Sequence, residues 1–227
     1  MDDFTPLVAI VDYGLGNLFS VEQACAFVGL NSIITNSKKD ILDADAVILP
    51  GVGAYGDAML TLHRLDLVNV LRDIAESPKP FVGICLGMQL LMTESYEFGR
   101  RKGLDIIEGP VVLFDAPKEK DRMLKVPQIG WNRIFQPAND LRWHGTLLDR
   151  IDEGEYMYFV HSYTVQPQEN NVILSTSRYG HIEFCSSVQY GNVFACQFHP
   201  ERSGLEGMKV YQNLAAHLWS VVLGGTN

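Results

Sequence analysis

The chain has 227 residues, of which 47% are hydrophobic, and its formal net charge is −9 at pH 7. This length can bury a substantial core and is typical of one domain spanning residues 1–227. Because an acidic chain without a block of Lys and Arg repels phosphate, nucleic acid is not expected as a partner. Its 4 cysteines include no CxxC pair, which excludes a disulfide scaffold. The start lacks a signal-peptide pattern and no apolar run reaches the length of a membrane span, so we predict a cytoplasmic protein without membrane contact.

The first half of the chain alternates apolar runs with helical patterns. Leu7–Val11 and residues 46–49 are continuous apolar runs, typical of strands covered on both faces, and residues 32–35 form a shorter run. Asn17 can cap the helix that follows the first strand. Apolar residues at helical spacing predict one amphipathic helix across residues 59–71. This alternation predicts a mainly parallel sheet flanked by helices.

The second half contains short β-rich pieces divided by turn residues. A tight hairpin around Gly191 leads into a strand over residues 193–198, and a last helix follows Ser203 and Gly204. These pieces predict antiparallel β extensions of the same sheet. The predicted fold class is therefore α/β. The pieces are residues 111–114, 131–135, 156–160, 172–177 and 184–190.

Cys85 lies between Gly83 and Gly87, where an apolar run changes into a helical pattern. A strand, a sharp turn and a helix with a thiol at the apex are typical of a nucleophile elbow, whose backbone amides favour a thiolate and an oxyanion. The alternative is a small buried apolar residue, as most free cysteines are. Residues 50–53 leave the end of another strand. In a parallel sheet ligands collect at that edge, so both loops are candidates for one pocket.

A nucleophilic cysteine needs a base, and the base needs an orienting group. Among 6 histidines, His199 is distinct because it ends an apolar strand and is followed by Pro200 and Glu201. Two residues this far apart at a strand end can project to the same side. The pattern alone leaves a structural His–Glu contact as open as a catalytic pair. No third ligand lies at a spacing that favours a metal site, and Gly14 with Gly16 lacks the third glycine of a dinucleotide fingerprint.

Together the two motifs, GICLGMQ at residues 83–89 and QFHPE at residues 197–201, resemble the Cys-His-Glu triad of class I glutamine amidotransferases. Four further segments look like the glutaminase subunits of imidazole glycerol phosphate synthases, so the resemblance covers nearly the whole chain. It implies a flavodoxin-like fold with a mainly parallel central sheet. The four segments are residues 12–18, 50–56, 130–132 and 158–163.

The resemblance also implies a role for individual residues. Cys85 attacks the side-chain amide of glutamine, His199 transfers the proton, and Glu201 orients His199. Backbone amides of Leu86 and of the segment containing Val52 and Gly53 hold the oxyanion. The residues that it implies for glutamine binding are Pro50, Gly51, Gln89, Glu97, Ser162 and Tyr163.

A partner is implied as well: a separate (β/α)8-barrel cyclase subunit that receives the ammonia and makes imidazole glycerol phosphate and aminoimidazole carboxamide ribotide in histidine biosynthesis. Asn17 and Arg202 are expected at the interface, and no metal, flavin or nucleotide cofactor is implied. Arg202 stands where the family usually has lysine, and Thr164 stands where tyrosine is common. The alternative is a glutaminase that feeds a different synthase, such as a sugar amidotransferase of surface polysaccharide synthesis. A non-catalytic scaffold or a cysteine hydrolase of esters or peptides explains fewer of the motifs.

Overall fold

The computed structural model describes residues 5–138 and 143–224. The helices in these ranges are α1 (Leu18–Phe27), α2 (Lys38–Asp43), α3 (Tyr55–Arg64), α4 (Val68–Glu76), α5 (Leu86–Leu90) and α6 (Gly204–Gly224). Short 3-10 turns lie at Asn170–Val172 and Pro200–Arg202. Within the described ranges, no helix combines the length and apolarity needed to cross a bilayer.

The strands within the described ranges form one large sheet and three smaller ones. They are β1 (Leu7–Val11), β2 (Asn31–Thr35), β3 (Ala46–Gly51), β4 (Phe81–Cys85), β5 (Met92–Ser95), β6 (Arg101–Lys102), β7 (Ile107–Leu113), β8 (Lys118–Glu119), β9 (Arg122–Met123), β10 (Gln128–Arg133), β11 (Tyr156–His161), β12 (Tyr163–Val165), β13 (Ile173–Tyr179), β14 (Ile182–Tyr190) and β15 (Val193–Cys196).

The large sheet has seven strands in the order β13-β14-β15-β4-β3-β1-β2. The run from β15 to β2 is parallel, whereas β14 and β13 extend it in the antiparallel sense. Every residue of β3 and β4 is buried, as expected for strands with helices on both faces. The predicted fold class is confirmed.

Alternate residues of each central strand pack into different cores. On β1, Ala9 and Val11 contribute to the core that contains Leu62 of α3, whereas Ile10 packs into the core that contains Tyr211 of α6. This period of two is the pleat of a strand with both faces covered. Burial of each large side chain stabilises the fold by roughly 1.5–3 kcal/mol, so the sheet edge that carries the site is held from both sides.

The single helix expected across residues 59–71 is wrong, because the structure has α3 and α4 there. The break lies at Asp66, whose φ is 54°. The Asp66 N–H donates to the His63 carbonyl at 3.0 Å, and the Leu67 N–H donates to the Leu62 carbonyl at 2.9 Å. These two bonds are the Schellman pattern that ends a helix. Glycine is the usual residue at that left-handed position, so an aspartate there conceals the break in the sequence.

Only part of the second half joins the large sheet. β13 and β14 are the predicted antiparallel extensions, but β12, β7, β5 and β6 form a four-stranded sheet of their own. β10 and β11 form a separate antiparallel pair in which Gln128 lies opposite His161. Because β12 contacts α5, this second layer lies against the helix that follows Cys85.

Candidate active site

Cys85 lies at the sharp turn between β4 and α5, with a φ of 55°. A non-glycine residue in this region stores strain of about 1–3 kcal/mol and is often found at functional sites. The flanking glycines are needed for space: a Cβ at Gly87 would lie 1.8 Å from the Leu49 carbonyl oxygen, and one at Gly83 would lie 3.0 Å from the Ala195 Cβ. The predicted strand, turn and helix are therefore confirmed, and close approach of the neighbouring strands explains both glycines.

His199 and Glu201 project to the same side of the chain after β15. His199 Nδ1 lies 2.8 Å from Glu201 Oε1, and both side chains are buried. The backbone around the histidine is also fixed. Its N–H donates to the Tyr158 carbonyl at 2.9 Å, and the Ser203 hydroxyl donates to its carbonyl at 2.6 Å. The imidazole ring is thus held by the Glu201 carboxylate, and the backbone of His199 is held by β11.

The sulfur of Cys85 completes a series of three groups. Burial lowers the pKa of His199, but hydrogen bonding and charge interaction with Cys85 and Glu201 outweigh burial and raise this pKa to about 10. Glu201 contacts Nδ1, while Nε2 is buried and has no hydrogen-bond partner among the described residues. Since Glu201 contacts Nδ1 and Cys85 also interacts with the imidazole, Nε2 is the ring nitrogen left to exchange a proton with the sulfur. The order sulfur, imidazole, carboxylate is that of a nucleophile, its base and the group that orients the base.

The sulfur opens onto a cavity of about 260 Å³. Two more predicted residues, Pro50 and Gly51, lie on β3 directly beside Ile84 and Cys85 of β4. Among the described residues, no group of three His, Cys, Asp or Glu side chains is placed to hold a metal ion. The residues lining the cavity are Val52, Gly53, Cys85, Leu86, Gln89, Glu97, Pro127, Val160, His161, Ser162 and Tyr163.

Two of the lining side chains tie the cavity to neighbouring elements. Glu97 Oε2 accepts a hydrogen bond at 2.5 Å from the N–H of Tyr55, the first residue of α3. A carboxylate at a helix N-terminus is stabilised there by the helix dipole. Gln89 Nε2 donates to the Tyr163 carbonyl at 3.2 Å. The loop after β5 is thereby joined to α3, and α5 is joined to β12, around the cavity.

Asn17 and Arg202, the predicted interface residues, lie outside the cavity lining. Asn17 precedes α1 as predicted, but its side chain makes no capping hydrogen bond. The Arg202 guanidinium lies 4.9 Å from the centre of the Tyr158 ring, a cation–π contact. A groove beside Arg202 is lined by the exposed apolar residues Phe19, Phe27 and Leu205.

Two residues near the sulfur were missed by the sequence reasoning. The Tyr13 hydroxyl donates to the Pro50 carbonyl at 2.8 Å, and burial keeps it neutral by raising its pKa. Gln197 Nε2 lies 3.5 Å from the Cys85 sulfur. The sequence could have indicated both positions, because ligands collect at the carboxyl ends of buried parallel strands. Gln197 directly follows β15, and Tyr13 lies two residues after β1.

His161 is a second buried histidine in the cavity wall. Its Nδ1 lies 2.8 Å from the Tyr163 carbonyl, and since a carbonyl only accepts, Nδ1 carries the proton. Burial lowers the pKa of this histidine to about 4. It is therefore neutral at physiological pH.

A family model described as Glutamine amidotransferase class-I matches residues 9–218. The chain belongs to the class I glutamine amidotransferase family. Within that family it is similar to proteins named Imidazole glycerol phosphate synthase subunit HisH. The Aquifex aeolicus protein is 43% identical, covering 90% of this chain and 93% of that protein. The Sulfurimonas denitrificans protein is 42% identical, covering 93% and 98%.

Solved structures support the fold. A chain in the structure of PurLQS from Thermotoga maritima superposes with a TM-score of 0.70 at 21% identity, covering 95% of this chain and 100% of that chain. The glutaminase domain of Trypanosoma brucei CTPS with bound acivicin gives a TM-score of 0.62 at 16% identity, covering 94% of both chains. At these identities the likeness concerns the architecture alone.

Proposed function

We propose that this chain hydrolyses glutamine to glutamate and ammonia and delivers the ammonia to a partner synthase subunit in histidine biosynthesis. The observation that carries the proposal is the buried series of Cys85, His199 and Glu201 at the wall of a cavity of about 260 Å³. A nucleophile, a base and an orienting carboxylate in this order suit acyl transfer from an amide.

The reaction proceeds in two halves. The Cys85 sulfur forms a bond to the carbonyl carbon of the glutamine side chain, and protonated His199 gives its Nε2 proton to the nitrogen as the C–N bond breaks. Ammonia leaves and a thioester remains. Water then attacks the thioester while His199 accepts its proton, the C–S bond breaks, and glutamate is released. Glu201 keeps the proton of His199 on Nδ1 between the two halves, so Nε2 stays available for transfer.

The oxyanion and the substrate occupy the cavity in this proposal. The N–H of Leu86 and an N–H from Val52 or Gly53 donate to the oxyanion, which is supported by the register that places the end of β3 beside Cys85. Each such donor contributes about 10²–10³ in rate. The residues proposed to bind glutamine are Pro50, Gly51, Gln89, Glu97, Ser162 and Tyr163.

We propose a (β/α)8-barrel cyclase as the partner subunit, because the relatives carry the name of an imidazole glycerol phosphate synthase subunit. A different synthase, such as a sugar amidotransferase, is not favoured by these relatives. The proposed interface is the surface around Asn17 and Arg202. Trp131 supports it, since its ring contacts Tyr158 edge-on at 6.0 Å and is 56% exposed. Trp, Tyr and Arg are the side chains that dominate binding energy at interfaces.

The catalytic proposal is tested by ammonia and glutamate release from the purified chain mixed with the cyclase from the same source. Cys85→Ser is expected to abolish turnover, with a loss of at least about 10⁴-fold. Cys25→Ala is the matched control, because Cys25 is a buried cysteine on α1. Equal turnover by the wild type and Cys85→Ser would exclude the mechanism.

The interface is tested by titrating the cyclase against Arg202→Ala and Trp131→Ala in a binding assay. Each substitution is expected to raise the Kd by at least about tenfold, since hot-spot truncations cost about 2 kcal/mol. Arg64→Ala, an exposed arginine on α3, should leave the Kd within twofold. An unchanged Kd in both interface variants would place the partner elsewhere.

A further inference from the structure

Gln197 is the first residue after β15 and is fully buried. β15 runs parallel to β4 with Cys196 opposite Ile84, so Gln197 lies across from Cys85 at the sheet edge. Its side-chain Nε2 is 3.5 Å from the Cys85 sulfur. A polar amide with no exposed surface needs hydrogen-bond partners, and here one of them is the proposed nucleophile.

The orientation of this amide is fixed by a chain of two hydrogen bonds. The Tyr163 carbonyl can only accept, so the Gln89 amide must present its NH₂ group to it, at 3.2 Å. The same NH₂ group lies 3.0 Å from Gln197 Oε1. Gln197 therefore presents its own NH₂ group to the sulfur. Rotating the Gln89 amide would place its oxygen against two acceptor oxygens, and rotating the Gln197 amide would place two NH₂ donors against each other.

We infer that Gln197 is a further catalytic residue, whose buried amide donates a hydrogen bond to the Cys85 sulfur and stabilises its thiolate, and that Gln89 is a positioning residue that fixes this donor. The inference deepens the proposed function, on which it rests. A donor stabilises an anion more than the neutral thiol, because hydrogen bonds to charged groups are the stronger ones. Gln89 would then act on the nucleophile as well as on glutamine.

Other groups around the sulfur have different effects. The titratable residues that interact with Cys85 are His199, Tyr13 and Cys196. Only His199 supplies a positive charge. Gln197 supplies a neutral donor whose effect does not titrate, so its contribution remains when His199 is replaced.

The test is the rate of alkylation of Cys85 by iodoacetamide against pH, followed by peptide mass spectrometry. It needs no glutaminase turnover, so it remains informative even where the proposed function fails. In Gln197→Met the midpoint of the rate profile is expected to rise by about one pH unit, a tenfold lower rate below the midpoint. Gln168→Leu, an exposed glutamine, should leave the midpoint unchanged.

Three further variants separate a direct effect from misfolding. The rise should persist when Gln197→Met is combined with His199→Asn, and Gln89→Met should raise the midpoint by a smaller amount with the melting temperature retained. Gln197→Glu, which has nearly the same shape but brings a negative charge, should raise the midpoint more than Gln197→Met. Midpoints equal to the wild type in Gln197→Glu and Gln89→Met would overturn the inference. Shifted midpoints in the variants together with no ammonia release by the wild-type complex would overturn only the proposed function.

Discussion

Two buried histidines lie near the same cavity, and their surroundings affect them in opposite ways. His199 follows β15, contacts Glu201 at 2.8 Å and also interacts with Cys85. His161 ends β11 and packs against the rings of Phe114, Phe159 and Phe184. The pKa of His199 is raised to about 10, whereas the pKa of His161 is lowered to about 4.

Burial alone does not account for this difference, because it lowers the pKa of both rings. The anionic partners decide the outcome. His199 has a carboxylate and a sulfur, so its cation is stabilised. His161 has only the Tyr163 carbonyl, which holds one N–H and leaves the ring neutral. His199 can therefore carry a proton between reacting groups, whereas His161 is a neutral side chain that lines the cavity.

Replacing each histidine by asparagine gives the largest difference between these two regions. His199→Asn removes the proton carrier and should lower turnover with the partner by at least about 10⁴-fold. His161→Asn keeps an N–H donor for the Tyr163 carbonyl and should lower turnover by less than about tenfold. The measurement is kcat for glutamate release in the complex.

Urea melts of both variants serve as the control, since each must be folded at the assay temperature. A loss of 10⁴-fold in folded His161→Asn would show that His161 is needed for proton transfer, against the assignment to His199. Retained turnover in His199→Asn would also contradict that assignment, because it would show that His199 is not needed.

Sequence reasoning predicted the region of His199 well and the region of His161 poorly, for a physical reason. Cys85 ends β4, and His199 and Glu201 follow the end of the adjacent parallel strand β15. The carboxyl ends of neighbouring parallel strands meet at one edge of the sheet. The path of β10 to β12 depends on packing against α5 and on register between distant strands, such as Gln128 opposite His161. No local pattern encodes that pairing, so His161 was assigned to no site.

Gln197 and Tyr13 show the same limit at the level of single contacts. Both occupy strand-end positions that a sequence can indicate, but their hydrogen bonds to Cys85 and Pro50 depend on the distance between strands. The break at Asp66 was missed for a local reason, since an aspartate took the position where glycine would have indicated it.

The two histidines should also affect stability in separate pH windows. Because the pKa of folded His199 is about 10 against 6.5 unfolded, its contribution is complete below pH 6.5 and is lost as pH rises toward 10. The folded chain does not bind the proton that unfolded His161 takes up between pH 6.5 and 4, so stability also falls as pH decreases through that window. Each window changes the free energy of unfolding by up to about 1.4 kcal/mol per pH unit.

Urea unfolding from pH 4.5 to 9.5 distinguishes them. In a plot of unfolding free energy against pH, His199→Asn should flatten the alkaline side and leave the acid side unchanged. His161→Asn should flatten the acid side only. A curve in which His199→Asn retains the full alkaline loss would contradict the raised pKa.

The smallest expected effect comes from two buried tyrosines, of which one has a hydrogen-bond partner and the other has none among the described residues. Tyr13 donates to the Pro50 carbonyl at 2.8 Å, whereas the Tyr211 hydroxyl has no hydrogen-bond partner among the described residues. Tyr13→Phe leaves that carbonyl without its donor and should lower the free energy of unfolding by about 1–2 kcal/mol. Tyr211→Phe removes an unsatisfied hydroxyl and should leave stability unchanged or raise it. Since Pro50 begins the proposed oxyanion segment, Tyr13→Phe should also reduce kcat by more than Tyr211→Phe does. Equal unfolding free energies in the two variants would mean that the Tyr13 hydrogen bond does not hold this segment.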